Sequence, residues 1–376
     1  MEGEGMKRLG VVLLVAASSV VLVACGSGKG VGTNSGSSKT ELTDNNSGSK
    51  YQSLIKDGHY QVSKSSGVDQ SQTSNTFNLQ GFQHGLQNIS KKEFSPDKYV
   101  FQEGQYISTS TIYNWLGRKS KDNPEGLNPS QPKKKVVPEY LQQVDEQDYL
   151  EPEGGKMKLK GMTIGIGLNS VYYYTKEKYG AQYSKHLDDA DIEQNGKEIA
   201  NKILARMRAN KDTKNIPIVI ALYKAAPEDS LVGGNFIAYS VNKDGAKEVS
   251  SWNKVDEKNY VLPASDGEKL PNDNDAAAFN EFKNKAQSYF PNLSGVTAQA
   301  HYTDGSLSGM TINVTTQFYS YTEINSFTQY LQTAAQKYLP TGAPIEIQVG
   351  STNGMQSYLY RSTNDKKFSS HVFTNY

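Results

Sequence analysis

The sequence predicts an α+β fold in which two related β-α-β-β units, with antiparallel or mixed sheets and packed helices, follow a small N-terminal region of helix and hairpin. Two observations lead to this class. An apolar hexamer with alternating hydrophobic residues occurs twice, at residues 161–166 and 309–314. In both places an aromatic stretch, an amphipathic helix and a second strand follow in the same order, which indicates an internal duplication.

The first unit begins with the strand at 161–166 and continues through the aromatic stretch Tyr172-Tyr173-Tyr174. Three aspartates at 188–191 mark the start of a helix. Strands at 216–220 and 236–241 complete the unit. The predicted helix has one apolar face, formed by Ile192, Ile199, Ala200, Ile203, Leu204 and Met207.

The second unit repeats this order. After the strand at 309–314 come the aromatic stretch 318–321 and a helix for which Thr322 is the predicted N-cap. Strands at 344–349 and 358–361 follow. The apolar face of this helix comprises Ile324, Phe327, Leu331, Ala334 and Tyr338.

The region before the two units has weaker patterns. Apolar residues at helical spacing predict a helix within 74–90, and a second, shorter helix is predicted at 111–116. Glu103-Gly104 lies between two short apolar runs, so a hairpin is predicted over 99–107. Residues 118–138 collect Lys, Pro and Asn without periodicity and predict a loop.

These patterns divide the chain into six segments. A stretch rich in Pro, Asp and Asn at 255–275 predicts a linker between the units, and a helix follows it at 276–290. The segments are a signal peptide (1–24), a lipidated cysteine with a disordered tether (25–75), a helical and hairpin region (76–158), the first unit (159–254), the linker and helix (255–296) and the second unit (297–376).

Composition limits the function classes. The chain has 376 residues and a formal net charge of +1, so it lacks the global basic field that nucleic-acid binding requires, and no nucleic-acid partner is expected. Its one cysteine leaves no disulfide framework, and the folded part must depend on its own core. Between residues 26 and 75 small and polar residues dominate, which is typical of a disordered spacer.

The N-terminus resembles an export signal. Met6-Lys7-Arg8 supplies positive charge ahead of a mostly apolar run at 9–24. The acidic residues before Met6 are unusual in such a region, which suggests that translation starts at Met6. The run is shorter than the roughly 20 apolar residues that a transmembrane helix needs, so a permanent span is the weaker interpretation.

The run ends in Leu22-Val23-Ala24-Cys25, which matches a lipobox. The cysteine sulfur accepts diacylglycerol as a thioether, and an N-acyl chain such as palmitate adds a second hydrophobic group, because one chain alone gives only marginal anchoring. Leu22, Val23 and Ala24 are the predicted recognition residues for signal peptidase II. The sequence therefore predicts a lipoprotein at the extracytoplasmic face of the cell membrane. The alternative is an ordinary buried cysteine that follows a signal.

No catalytic constellation is evident. The five histidines are scattered, and no serine elbow or phosphate loop occurs. His186 lies beside Asp188 and Asp189, a grouping that can perform acid/base chemistry, but carboxylates at a helix start more often stabilise free amides. We expect no enzyme activity, cofactor or metal.

Tyr172, Tyr173 and Tyr174 are the candidate lining of a ligand groove. Tyrosine offers a flat apolar face with a polar tip, which suits a peptide or a glycan. In a strand, however, one or two of these rings would normally lie in the core.

Four stretches carry a resemblance to a known family. Residues 160–174 (KGMTIGIGLNSVYYY), with Gly126-Leu127-Asn128-Pro129-Ser130, Lys185-His186-Leu187-Asp188-Asp189 and Ile216-Pro217-Ile218, resemble the CamS family of Gram-positive sex pheromone lipoproteins. The similarity extends from the signal peptide to near the C-terminus.

The resemblance implies two products from one chain. In the family, signal peptidase II cuts before the lipobox cysteine, here between Ala24 and Cys25, and the discarded signal peptide is trimmed to a short apolar pheromone that is sensed by cells carrying a conjugative plasmid. The corresponding peptide here is Ser18-Ser19-Val20-Val21-Leu22-Val23-Ala24. The alternative is a signal sequence without a signalling role.

The family implies no activity for the mature body. Our first hypothesis is a binding or interaction module for a peptide, glycan or protein, with a cleft between the two units. The second is a hydrolase-like enzyme that acts on envelope polymers. A pair of carboxylates lining a pocket would favour the enzyme.

Overall fold

The computed structural model describes residues 39–44, 50–68, 74–132, 135–265, 267–289 and 295–374. The predicted signal peptide, lipobox, Cys25 and pheromone peptide lie outside these residues. None of the described helices is long and apolar enough to cross a membrane. The helices are α1 (Leu79–Ser90), α2 (Thr109–Leu116), α3 (Asp189–Ala209), α4 (Asp273–Tyr289) and α5 (Tyr321–Tyr338).

The described strands form two six-stranded sheets and two small ones. They are β1 (Thr40–Leu42), β2 (Leu54–Lys56), β3 (His59–Tyr60), β4 (Val100–Glu103), β5 (Leu141–Glu153), β6 (Lys156–Leu168), β7 (Val171–Thr175), β8 (Gln182–His186), β9 (Ile218–Lys224), β10 (Asn235–Asn242), β11 (Asn253–Lys254), β12 (Glu257–Leu262), β13 (Gly295–Thr303), β14 (Ser306–Thr315), β15 (Ile345–Ser351), β16 (Gly354–Arg361) and β17 (Ser369–Val372).

The two large sheets have the same internal connectivity. The first has the order β11-β10-β9-β6-β5-β4 and the second the order β12-β13-β14-β15-β16-β17. In each, one parallel pair is joined by a helical crossover, β6-α3-β9 and β14-α5-β15, and the other pairs are antiparallel. The sheets are therefore mixed, and the predicted α+β class is confirmed.

The duplicated hexamers occupy equivalent places in these sheets. Met162 pairs with Ile218, and Met310 pairs with Ile345, at the start of each parallel ladder. Each methionine amide donates to a proline carbonyl, at 3.1 Å in the first unit and 3.0 Å in the second. Each unit also has a hairpin strand ahead of the hexamer, β5 or β13, which the sequence patterns did not predict. Because each sheet extends beyond its predicted segment, the first unit hereafter means the first sheet with α1, α2 and α3, and the second unit means the second sheet with α4 and α5.

Helices cover the two sheets unequally. The first sheet lies between α3 on one face and α1 on the other, with separate hydrophobic clusters on the two sides. The second sheet packs α4 and α5 on one face only. On its other face, every second residue of β13, β14 and β15 points away from the core and is partly or fully exposed.

Three local predictions differ from the structure. The hairpin over 99–107 is absent, because β4 pairs with β5 and the chain after Gly104 turns to bind a buried side chain. Ser320, rather than Thr322, is the N-cap of α5, and its hydroxyl donates to Glu323 three residues on. Part of the segment predicted as a tether forms β1, β2 and β3, since Leu54 supplies a buried anchor there.

Candidate functional site

The glycines of the duplicated motif differ in their surroundings. A Cβ added at Gly161 would lie 2.1 Å from Phe94, and one at Gly165 would lie 2.4 Å from Phe82. In the second unit, a Cβ at Gly309 would meet only Pro344, at 4.0 Å. The first motif is thus pressed against aromatic rings, whereas the second faces open space.

That open space is part of a cavity of about 570 Å³ between the two units. One wall is formed by α1 and the start of β10. The other is formed by the uncovered face of the second sheet, from β12 to β15. The lining mixes imidazole, amide, carboxylate and ammonium groups with a few apolar side chains, so the cavity suits a polar ligand.

Asn259 and His301 form a rigid polar pair in this wall. The Asn259 amide nitrogen donates to the carbonyl oxygens of Gly233 and Gly234 and to the side-chain oxygen of Asn235. Its oxygen is therefore left to accept from His301 Nδ1, at 2.6 Å. Burial, and then the charge of His84, lower the pKa of His301. The neutral ring consequently keeps Nε2 as an acceptor, and in the described part of the chain Nε2 has no hydrogen-bond donor.

Charged groups near this pair balance one another. Glu257 accepts from the Phe236 amide at 3.0 Å, and burial raises its pKa. Lys92 lies 4.7 Å from the centre of the Tyr239 ring and is close enough to Glu257 to favour its ionised form. On α1, partial burial and then the charge of Lys91 lower the pKa of His84. The site thus carries little net charge at neutral pH.

Two glycines let the segment before β10 pack closely onto the rest of the first unit. A Cβ at Gly234 would lie 1.9 Å from the Lys224 carbonyl oxygen, and one at Gly233 would lie 2.7 Å from the Asn78 side chain. Only glycine fits this close packing. The Gly233-Gly234 segment lines the cavity, and its carbonyl groups accept from Asn259.

A pair of buried carboxyls, Glu146 and Asp148, lies elsewhere, on β5. Glu146 is 2% exposed, and its side chain accepts from the amides of Gln105, Tyr106 and Ile107 at 2.6 to 3.0 Å. Asp148 is 1% exposed and accepts from the Gln105 amide at 3.0 Å. Neither carboxyl lines the cavity. This pair fixes a loop and lacks the pocket-lining position that an acid/base dyad needs.

The tyrosines of the predicted groove lie on the separate hairpin β7-β8. The Tyr172 and Tyr174 rings stack at 5.4 Å, and Tyr174 stacks on Tyr183 at 5.6 Å. Arg118 donates to the Tyr172 hydroxyl at 2.9 Å, and the hydroxyl of Tyr173 accepts from a backbone amide. None of the three predicted residues lines the cavity, and Tyr172 packs against the first core.

The histidine beside two carboxylates is not assembled into a site. His186 lies exposed on β8, and Asp189 pairs with Lys224 at 3.0 Å. Of the five histidines, His84 and His301 are brought together at the cavity. No group of three or more potential metal ligands occurs among the described residues.

The sequence patterns missed the residues that matter most here. Glu257 and Asn259 lie in a stretch that composition assigns to a linker, although it forms β12. His301 lies on β13, ahead of the recognised repeat. A search for a hairpin partner before each repeated hexamer would have found β13 and, through pairing, β12.

Comparison with known proteins identifies the family. The model of the CamS sex pheromone cAM373 precursor family matches residues 60–367. The chain belongs to the CamS sex pheromone precursor family. The resemblance drawn from the sequence motifs is thereby confirmed.

Solved structures of CamS family members share the fold. The sex pheromone precursor from Lactobacillus salivarius subsp. salivarius UCC118 is 48% identical, with a TM-score of 0.85, over 90% of this chain and 100% of that one. The C-terminal domain of the sex pheromone staph-cAM373 precursor from Staphylococcus aureus is 31% identical, with a TM-score of 0.70, over 81% of this chain and 98% of that one. No curated protein is significantly similar.

Proposed function

We propose that this CamS family member is an extracytoplasmic lipoprotein whose folded body binds a ligand in the cavity between its two units. The observation that carries the binding role is the polar cavity with hydrogen-bonding capacity left unused, such as Nε2 of His301. The ligand classes open to such a site are a peptide, a glycan or a segment of another protein.

The lipobox supports the anchoring part of the proposal. Leu22-Val23-Ala24-Cys25 provides the cleavage pattern of signal peptidase II and the sulfur for diacylglycerol. The same cleavage would free the signal peptide, and a second cut before Ser18 would then release Ser18-Ser19-Val20-Val21-Leu22-Val23-Ala24, the second product that we propose, as a peptide signal in plasmid conjugation. Its short, uncharged and apolar character suits passage through an envelope.

An envelope-acting hydrolase is the second candidate function, and the buried carboxyl pair is the observation in its favour. Glu146 is however held by three backbone amides, and a carboxylate so bound is a poor proton donor. Because this pair also lies outside the cavity, a binding role has the better support.

Mass spectrometry of cells expressing the full chain tests the anchor and the peptide. We expect a membrane-bound protein that begins with a lipid-modified Cys25, and a supernatant peptide that ends at or near Ala24. Cys25→Ala should abolish both products, whereas Ser27→Ala, two residues downstream, should leave them unchanged. An unmodified Cys25 in the wild-type protein would contradict the lipoprotein proposal.

The cavity is tested by filling it. Gly309→Leu places a side chain in open space, so the fold should tolerate it while the cavity loses volume. The matched control is Gly295→Leu, because no atom of the described residues lies within 4 Å of a Cβ added at Gly295, and this glycine does not line the cavity. Fractions of envelope extract should raise the melting temperature of the full chain and of the control, but not of Gly309→Leu. Equal stabilisation of both variants would contradict a binding role for the cavity.

A further inference from the structure

We infer that the cavity and the open sheet face beside it bind a neutral, hydroxyl-rich oligosaccharide that extends across the strands of the second sheet. This inference rests on the proposed binding function and names the ligand class. The proposed binding surface consists of the cavity wall and of an aromatic pair that lies outside the cavity.

A continuous row of side chains leads out of the cavity. Cross-strand pairing places Gln299 opposite Thr311, Thr311 opposite Glu346, and Glu346 opposite Tyr360. The first three line the cavity, and Tyr360 lies beyond it. Since neighbouring strands are about 4.8 Å apart, the row spans roughly 14 Å. This length suits a chain of several sugar rings.

A second row runs parallel to the first. Thr297 pairs with Asn313, Asn313 with Gln348, and Gln348 with Tyr358. The two rows therefore present hydroxyl and amide groups at neighbouring positions, followed by two tyrosines. Hydroxyls and amides both donate and accept, as the hydroxyl groups of a sugar require.

The tyrosines form a platform at the end of the rows. The rings of Tyr358 and Tyr360 stack with centroids 5.9 Å apart, and Tyr360 is 44% exposed. Burial, and then the nearby Glu346 carboxylate, raise the pKa of the Tyr358 hydroxyl, so this carboxylate lies beside the platform as well as in the cavity wall. A flat apolar face beside polar groups matches the C–H face and the hydroxyl edge of a sugar ring.

Charge favours a ligand without net charge. Glu346 is the only charged residue in the two rows, and at the cavity the carboxylates of Glu257 and Asp304 are offset by the ammonium groups of Lys92 and Lys254. A strongly charged polymer would meet like charges at some of these positions and would gain no net attraction. A neutral sugar instead offers hydroxyl donors to these carboxylates and to Nε2 of His301.

The position on the sheet disfavours a peptide. Extended peptides commonly bind by adding a strand to a free sheet edge, where main-chain hydrogen bonds supply the affinity. Both rows lie on the face of the sheet, and the main chains of β13, β14 and β15 are paired on both sides. A peptide here would leave its backbone groups without ladder partners, whereas an oligosaccharide has no such requirement.

Calorimetric titration of the full chain with the β-1,4-linked tetramers of glucose and of N-acetylglucosamine tests the inference. Because the full chain is proposed to carry lipid on Cys25, it is kept in detergent. This detergent must lack a sugar headgroup, which would compete with the tetramers for the site. We expect at least one tetramer to bind, Gly309→Leu to abolish its binding and Tyr360→Ala to weaken it about tenfold. Tyr319→Ala is the matched control, because Tyr319 is also exposed but lies outside the rows.

The outcomes separate this inference from the function on which it rests. If neither tetramer binds, or if Tyr360→Ala binds as tightly as the wild type, the oligosaccharide inference is wrong. Tighter binding of the anionic tetramer of galacturonic acid would also overturn it. If a peptide or protein fraction stabilises the wild type but not Gly309→Leu, the binding function stands without the sugar. If no stabilising fraction depends on Gly309, the proposed function itself fails.

Discussion

Glu146 and Asp148 lie on the same face of β5, two residues apart and almost completely buried. Such burial is costly unless the charge is compensated. Three successive amides compensate Glu146, and a hydrogen bond joins its side chain to that of Asp148. Burial raises the pKa of both groups, and the Glu146 charge raises that of Asp148 further. The arrangement is consistent with an ionised Glu146 and a protonated Asp148.

Replacing Glu146 tests the role of this anion in holding the 104–107 loop. Glu146→Gln replaces one acceptor oxygen with the NH2 of a carboxamide, so at least one buried backbone amide loses its acceptor. We expect a loss of about 2–4 kcal/mol in the free energy of unfolding, measured by urea denaturation. Glu153→Gln, at the exposed end of the same strand, breaks only surface ion pairs with Lys158 and Lys160 and should lower the unfolding midpoint much less. Equal unfolding midpoints for Glu146→Gln and Glu153→Gln would contradict the role of Glu146 in holding the loop.

The buried Asp148 carboxyl should make the stability of the protein depend on pH. Its folded pKa is raised, so the stability that its proton contributes is fully present below the pKa of an unfolded aspartate, about 3.9, and is lost as the pH rises through the folded pKa. Asp148→Asn keeps a donor toward Glu146 but has no proton to lose. We therefore expect its melting temperature to fall less steeply than that of the wild type as the pH rises from acidic to neutral. Parallel curves would show that Asp148 does not retain its proton.

At the scale of elements, the repeated hexamer shows how one strand sequence serves two environments. The apolar residues at alternate positions face the crossover helix in both units. The intervening positions differ, because α1 covers that face of the first sheet, whereas none of the described helices packs on the corresponding face of the second. Gly161 and Gly165 make room for aromatic rings, whereas Asn313, at the position equivalent to Gly165, is exposed.

The equivalent glycines Gly161 and Gly309 give a matched pair of variants. Gly161→Ala would push a methyl group into the fully buried Phe94 ring, which is stacked on Tyr149 at 4.6 Å and cannot easily move. We expect a loss of about 1–3 kcal/mol in the free energy of unfolding. Gly309→Ala should be neutral or slightly stabilising, because the added Cβ meets open space and alanine restricts the unfolded chain. Chemical denaturation of the two variants measures the difference, and equal losses would contradict the unequal cover of the sheets.

The strands and helices with strong periodicity could be predicted, and those defined by long-range packing could not. The hexamers, α3 and α5 have apolar faces that show in the sequence. In contrast, residues 141–150 of β5 are all buried although the segment reads LQQVDEQDYL. Two of its polar side chains, Glu146 and Gln147, bond to the 104–107 loop and to α1, which are remote in sequence. Similarly, the cavity depends on two units meeting, and periodicity within one unit carries no signal for it.

At the scale of the whole molecule, each unit has its own hydrophobic core. The cores of the first unit and of the second share no residues. Polar contacts connect the units, among them those of Asn259 with Gly233 and Gly234 and that of Gln299 with the Leu231 carbonyl. A polar junction of this kind couples domains weakly. The two units are therefore expected to unfold separately.

Calorimetry of two core variants tests this expectation. Phe82 and Phe279 are both fully buried, one in each unit, and truncating either to alanine costs about 3–5 kcal/mol. We expect two unfolding transitions. Phe82→Ala should lower the midpoint temperature of one of them, and Phe279→Ala should lower that of the other. A single transition that both variants lower equally would show that the units unfold together.

The open face of the second sheet also makes the protein accessible to fluorescence spectroscopy. Asn313 is exposed beside the cavity, and Cys25 is the only cysteine in the chain. With Cys25 lipidated as proposed, Asn313→Cys would provide a single reactive thiol for an environment-sensitive dye. Emission from that dye would report ligand arrival on living cells, without purification of the protein and before the ligand is identified.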